Sequence, residues 1–188
     1  MTRRFRDHID TPVGRIALIV DERGRLNAAG FMEGHKRPQP GLDLEAEPAV
    51  DPFGVTTRFH AYFAGDLSAL DDLDVHLVGT AFQREVWAAL REIPLGQTWS
   101  YGQLATHIGR PKAVRAVGSA NGANPAAVIV PCHRVIGADG SLTGYAGGLT
   151  RKVWLLTHEG VGGGWQEAPD TADQADAAQQ ELFAPAAS

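Results

Sequence analysis

Apolar positions early in the chain fall in short runs broken by turn-forming residues. Residues 5–9 and 15–20 read as two strands of an antiparallel sheet. Between them lies Thr11-Pro12-Val13-Gly14, where proline and glycine supply turn geometry. Asp21-Glu22-Arg23-Gly24 makes a second turn, and residues 26–31 a third strand. Residues 33–52 carry Pro38, Pro40, Gly41, Pro48 and Pro52 and read as an irregular loop. Residues 56–64 then look helical, with Phe59 and Phe63 one turn apart on one face. An acidic stretch, Asp71, Asp72 and Asp74, leads into residues 75–78, read as a short strand. Gly79-Thr80 is the expected domain boundary.

From Thr80 the period changes to that of helices. Thr80 caps the first, with Gln83 at the capping-box position, and Phe82, Val86, Leu90 and Ile93 share one face. Pro94 and Gly96 end it. Ser100 caps a second helix, again with a glutamine, Gln103, three residues on. Gly109 stops that helix, and Pro111 opens a third over residues 112–121. Two short helices joined by a glycine-containing turn form a helix-turn-helix pattern. The third helix is built from small residues (Ala113, Ala116, Gly118, Ser119, Ala120), which suits close packing on another helix or close approach to DNA equally well. Residues 126–130, between Pro125 and Pro131, read as a fully buried strand. A glycine-rich loop follows over 137–148, and a last helix over 151–158. Residues 161–188 form an acidic tail, expected to be disordered or loosely helical.

Composition describes an ordinary globular chain: of 188 residues, 44% are hydrophobic and 21% charged. No apolar run approaches the roughly 20 residues of a membrane helix, and the N-terminus lacks the apolar stretch of a secretory signal. A cytoplasmic location is the default expectation. Net charge is −5, which argues against a DNA partner until its distribution is read. Residues 1–81 carry −4, residues 82–160 carry +4 and residues 161–188 carry −5. The central segment is the one plausible face for phosphate. From charge alone, ordinary scatter is the favoured reading.

The chemistry concentrates at Asn124-Pro-Ala-Ala-Val-Ile-Val-Pro-Cys132-His133-Arg134-Val135-Ile136. Cys132 is the only cysteine, so neither an internal disulfide nor a cysteine-rich zinc site is available. An isolated cysteine is most often a small buried hydrophobe. Two basic neighbours point instead to a nucleophile, because the thiolate is the reactive form and a nearby base or cation favours it. His133 is the candidate base and Glu159 the candidate carboxylate behind it. In extended chain His133 would face away from Cys132, so the pair works only if the chain turns there or a water relays the proton.

These residues, with the preceding small-residue helix and the later stretches Thr143-Gly144-Tyr145-Ala146-Gly147-Gly148 and Leu155-Leu156-Thr157-His158-Glu159-Gly160, resemble the O6-alkylguanine-DNA alkyltransferase family over about residues 80–160. The resemblance implies an α+β fold. Residues 1–79 would be an RNase H-like antiparallel-sheet domain and residues 80–160 a mainly helical, winged-helix-like domain. It implies stoichiometric transfer of the alkyl group from O6-alkylguanine, and from O4-alkylthymine, in double-stranded DNA. Cys132 matches the alkyl acceptor, His133 the base acting through a water, Glu159 its orienting carboxylate, and Asn124 the asparagine linking the recognition helix to the active-site turn. Tyr101 matches the tyrosine that assists rotation of the nucleotide. Arg115 matches the arginine inserted in place of the flipped base, on a helix whose Ala116, Gly118 and Ser119 line the minor groove. Tyr145 and Ala146 belong to the loop that closes over the base, and the carbonyls of Cys132 and Val135 match those that read its exocyclic amine. No cofactor, no metal and a monomeric state are implied. Ala146 departs from the serine of some members. Three other readings remain open at this stage: a lesion-binding protein without chemistry, a cysteine hydrolase, and a plain helix-turn-helix regulator.

Overall fold

A computed structural model describes residues 2–33 and 41–163; the expectations for residues 34–40 and 164–188 lie outside the described residues. Strands β1 (Arg4–Thr11), β2 (Gly14–Asp21) and β3 (Leu26–Phe31) form the expected meander. The 11–14 turn pairs Thr11 with Gly14, and Gly14 takes the positive φ of 105° that only glycine adopts cheaply. Ile16, Leu18 and Val20 point to the inner face and are fully buried.

The sheet is not purely antiparallel. A two-residue strand β4 (Glu47–Pro48) pairs parallel to β1, giving the order β3-β2-β1-β4. Pro48 is tolerated because β4 lies at the sheet edge. The strand expected over 75–78 reduces to one bridge between Val75 and Leu26. That segment lends β3 two backbone hydrogen bonds, Leu26 N–H to Asp74 O and His76 N–H to Leu26 O, and then leaves.

Helix α1 (Val55–Phe63) lays Val55, Phe59 and Tyr62 on the sheet, positions spaced at one and nearly two turns. Phe63, expected on the buried face, is only partly covered; Tyr62 takes the inner place. Helix α2 (Ala81–Leu90) and helix α3 (Tyr101–His107) both begin in complete capping boxes, Thr80 with Gln83 and Ser100 with Gln103. Each cap contributes about 1 kcal/mol. Helix α4 (Val114–Gly122) starts two residues later than expected, because Pro111 and Lys112 sit in a turn that closes Ala113 N–H onto Arg110 O. Trp87 on α2 donates its indole N–H to Ala120 O at 2.8 Å and locks α2 against α4. Helix α5 (Leu149–His158) closes the chain onto this assembly. One buried cluster runs from the sheet through Phe59 and Tyr62 to Val86, Leu90, Val117 and Leu155. Among the described residues no helix is long and apolar enough to cross a membrane.

Candidate active site

Residues 126–130 are buried as expected, but they are not a strand. Ala126 makes one parallel bridge to Ala29 on β3, and the chain then turns through Val128 at φ 74°. A β-branched residue in that region is strained. Asn124 supplies the compensation. Its Oδ1 accepts from Ala126 N–H at 3.0 Å, and its Nδ2 donates to Val130 O at 2.8 Å. The side chain thus replaces the pairing a neighbouring strand would have given. The same Nδ2 lies 3.1 Å from Cys132 Sγ.

Cys132–Arg134 then form a single 3-10 turn, followed by a two-residue strand β6 (Val135–Ile136) that pairs parallel with β5 (Trp99–Ser100). The turn puts Cys132 and His133 in the bent backbone that the sequence required for them to cooperate. Both are buried.

His133 Nε2 lies 3.0 Å from Oε1 of Glu159, and neither side chain is exposed. Arg134 clamps the same carboxylate with Nε to Oε2 at 2.7 Å and Nη2 to Oε1 at 2.9 Å, and donates Nη1 to Ile93 O at 2.7 Å. Tyr62 donates its hydroxyl to Oε1 at 2.7 Å. Burial alone would raise the Glu159 carboxyl, but the hydrogen bonds and charge of His133 and Arg134 outweigh it and hold it well below the usual carboxylate range. An ionised carboxylate only accepts, so Nε2 of His133 carries the ring proton and Nδ1 presents its lone pair. Nδ1 is buried and has no hydrogen-bond partner among the described residues. Burial pushes His133 down, against the pull of Glu159, and the charges of Arg134 and Lys152 add to the fall. Burial pushes the Cys132 thiol up, opposed by the Asn124 hydrogen bond and the Lys152 charge. The resting pair is therefore a neutral thiol beside a neutral base.

Lys152 is a second feature that no sequence pattern signalled. It is fully buried on α5, and its Nζ donates to Val135 O at 2.6 Å and Thr143 O at 2.8 Å. Burial lowers it to about 8. It ties the start of the 137–148 loop's return to the end of the active-site turn, and its charge faces the thiol. Its Nζ thus takes one lone pair of the Val135 carbonyl. Tyr145, in that loop, packs edge-on against Phe31 at 6.4 Å, and its buried hydroxyl has no hydrogen-bond partner among the described residues. Gly147 lies so close to both rings that an added Cβ would fall 2.7 Å from Tyr145. Ala146 beside it is exposed.

The remaining expected residues lie on α3 and α4. Val117, Ala120 and Asn121 face the core, whereas Arg115, Ala116 and Ser119 are exposed, and Val114 is exposed beside them. The small residues divide accordingly: Ala120 packs inward, and Ala116 and Ser119 lie on an open face. Tyr101 stands against Gly118, whose missing Cβ would touch its ring at 3.9 Å. No group of three or more His, Cys, Asp or Glu that could hold a metal occurs among the described residues.

Sequence reasoning missed Tyr62 and Lys152 and saw Arg134 only as a nearby cation. Tyr62 meets Glu159 from 97 positions away, and a buried lysine has no periodic signature.

Comparison with known proteins places these features in context. Residues 81–161 match the family model described as "6-O-methylguanine DNA methyltransferase, DNA binding domain". The chain is 49% identical over 167 residues to a methylated-DNA–protein-cysteine methyltransferase of Salmonella typhimurium, covering 85% of this chain and 98% of that protein. The fold is similar to the crystal structure of Mycobacterium tuberculosis O6-methylguanine methyltransferase, with a TM-score of 0.72, 44% identity, and 85% and 93% of the two chains covered. It is also similar to a structure of the Mycobacterium tuberculosis protein OGT in complex with DNA, with a TM-score of 0.70, 43% identity, and 84% and 92% covered.

Proposed function

The chain belongs to the methylated-DNA–protein-cysteine methyltransferase family, and on that premise we propose that Cys132 takes the alkyl group of an O6-alkylguanine base flipped out of double-stranded DNA. The single observation that carries this reading is the series Asn124, Cys132, His133 and Glu159, its last three members buried, in which a neutral thiol is followed in the chain by a base whose tautomer is set by a carboxylate. The reaction is a displacement at the alkyl carbon. The S–C bond forms as the C–O6 bond breaks, and the electron pair of the broken bond leaves with guanine. The thiol proton passes through a water to Nδ1 of His133, and the departing guanine takes up one proton, so no co-reactant is consumed. A thioether has no easy exit, so each molecule acts once.

Binding follows the charge distribution. The exposed face of α4 lies in the minor groove, about 6 Å wide in B-DNA, where small side chains permit close approach. Arg115 fills the space the base leaves, and Tyr101 assists its rotation. Tyr145 and Ala146 cover the extruded base, and the carbonyls of Cys132 and Val135 read its amine. O4-alkylthymine is the second substrate. The finer fold assignment is part of the same reading: an RNase H-like domain over 1–79 and a winged-helix-like domain over 80–160. The protein works as a monomer in the cytoplasm, where a lone thiol stays reduced.

Arg115→Ala is expected to slow repair of duplex DNA by about tenfold or more, because flipping costs a few kcal/mol that the arginine helps recover. Reaction with free O6-benzylguanine should be unchanged, and an equal loss on both substrates would contradict the assigned role. The function itself is tested by titrating duplex DNA carrying O6-methylguanine with the protein. Repair should stop at one guanine restored per molecule. Continued turnover would indicate a hydrolase, and tight binding with the methyl group retained would indicate a lesion-binding protein.

A further inference from the structure

Tyr62 lies on α1, outside the 81–161 segment that the family model covers, yet its hydroxyl reaches the buried carboxylate of the relay. Oε1 of Glu159 accepts from three donors: Tyr62 at 2.7 Å, Arg134 Nη2 at 2.9 Å and His133 Nε2 at 3.0 Å. The phenol makes the shortest of the three contacts. We propose that Tyr62 is a positioning residue for the proton relay, which by sharing Oε1 with His133 limits how strongly Glu159 holds a proton on the imidazole. The inference rests on the alkyl-acceptor reading of Cys132.

Arg134 already clamps both carboxylate oxygens, so Tyr62 is not required to hold Glu159 in place. What the phenol changes is the negative charge that Oε1 offers to His133. A tyrosine suits that task because burial keeps its proton in place, and it donates without adding charge. The other groups around the relay act in known directions. Arg134 from the turn and Lys152 from α5 disfavour the imidazolium. Cys132 is neutral at rest. Tyr145 from the loop stays protonated because burial and the nearby acidic groups raise it. His158 from α5 packs its ring 5.2 Å from Tyr62 and hydrogen-bonds the Tyr62 carbonyl rather than the hydroxyl.

The sign follows. Without the phenol, Glu159 stabilises the imidazolium more, so the resting His133 protonates at a higher pH. A protonated His133 cannot take the thiol proton. The acid limb of the transfer rate therefore moves to higher pH.

The test is single-turnover transfer from free O6-benzylguanine, which needs no DNA, measured across pH for the full chain and for Tyr62→Phe. The acid limb of Tyr62→Phe should lie about one unit above that of the unaltered chain, so that on the limb the variant's loss exceeds its loss at about pH 8.5 by up to about tenfold. A second variant carrying 3-fluorotyrosine at position 62, a stronger donor of nearly the same shape, should shift the limb the opposite way. It decides the matter if Tyr62→Phe folds poorly. A loss by the same factor at every pH, an unchanged profile, or shifts of one sign in both variants would overturn the proposal. Absence of transfer by the unaltered protein would instead contradict the alkyl-acceptor reading itself.

Discussion

Glu159→Gln is expected to slow alkyl transfer by about 10²–10⁴-fold, the range a positioned base contributes. Glutamine has one acceptor oxygen, so it cannot take Arg134 Nε on the second position while the first accepts from Tyr62, His133 and Arg134 Nη2. Turning its amide nitrogen toward His133 would force the ring proton onto Nδ1 and remove the base. Turning it toward Arg134 would set donor against donor. The same change leaves the guanidinium of Arg134, only 13% exposed, without its counter-charge. Stability should fall by about 3–5 kcal/mol, the cost of breaking a buried pair from one side. Acid sensitivity should change with it. The folded pKa of Glu159 is depressed, so its contribution is present above the unfolded value of about 4.3 and is lost as pH falls below it. His133 acts in the same sense: held neutral by burial, it costs stability as pH falls through about 6.5, where the unfolded chain takes up the proton. The wild-type protein should lose stability in two stages below about pH 6.5, and Glu159→Gln should lack the lower one. Denaturant melts at a series of pH values read this directly. A variant with a normal rate and an unchanged acid profile would contradict the carboxylate's assigned place.

Asn124→Ala is the second change with a large expected effect. It leaves Ala126 N–H without its partner and removes one of the two donors to Val130 O, which keeps Cys132 N–H, in a buried segment that already carries strain at Val128. Stability should fall by about 1–3 kcal/mol, the cost of one unsatisfied buried group. The thiol also loses its N–H donor, so its pKa rises further above the ordinary value and the thiolate becomes scarcer at neutral pH. A hydrogen bond to a charged group contributes about 1.5–3 kcal/mol, which corresponds to about 10–100-fold in thiolate and hence in rate. The loss should shrink at high pH. Thiol titration beside a stability measurement separates the two consequences.

What the sequence discloses here is what local spacing can carry. Both capping boxes are visible because Thr80 and Gln83, or Ser100 and Gln103, settle the matter within one turn of helix. The meander is visible because Pro12, Gly14 and Gly24 mark its turns. The 126–130 run misleads for a physical reason. Its apolar composition reports burial, and burial is correct. Its conformation is decided by Asn124, which lies outside the run and satisfies the backbone without a neighbouring strand. The start of α4 misleads less: Pro111 can open a helix, but here it belongs to the turn before one. In the site, Cys132, His133 and Arg134 are adjacent in sequence, and Glu159 closes the last helix. Tyr62 and Lys152 are recognisable only once α1 and α5 fold against the turn, because a tyrosine and a lysine in amphipathic helices look like surface or core filler.

Mass measurement decides whether Cys132 is the acceptor. The protein is incubated with duplex DNA carrying isotopically labelled O6-methylguanine, and the intact chain and its peptides are then weighed. One labelled methyl group per chain is expected, located on Cys132, and none in Cys132→Ala. A label on another residue, a label retained in Cys132→Ala, or repaired DNA with an unmodified protein would contradict that role.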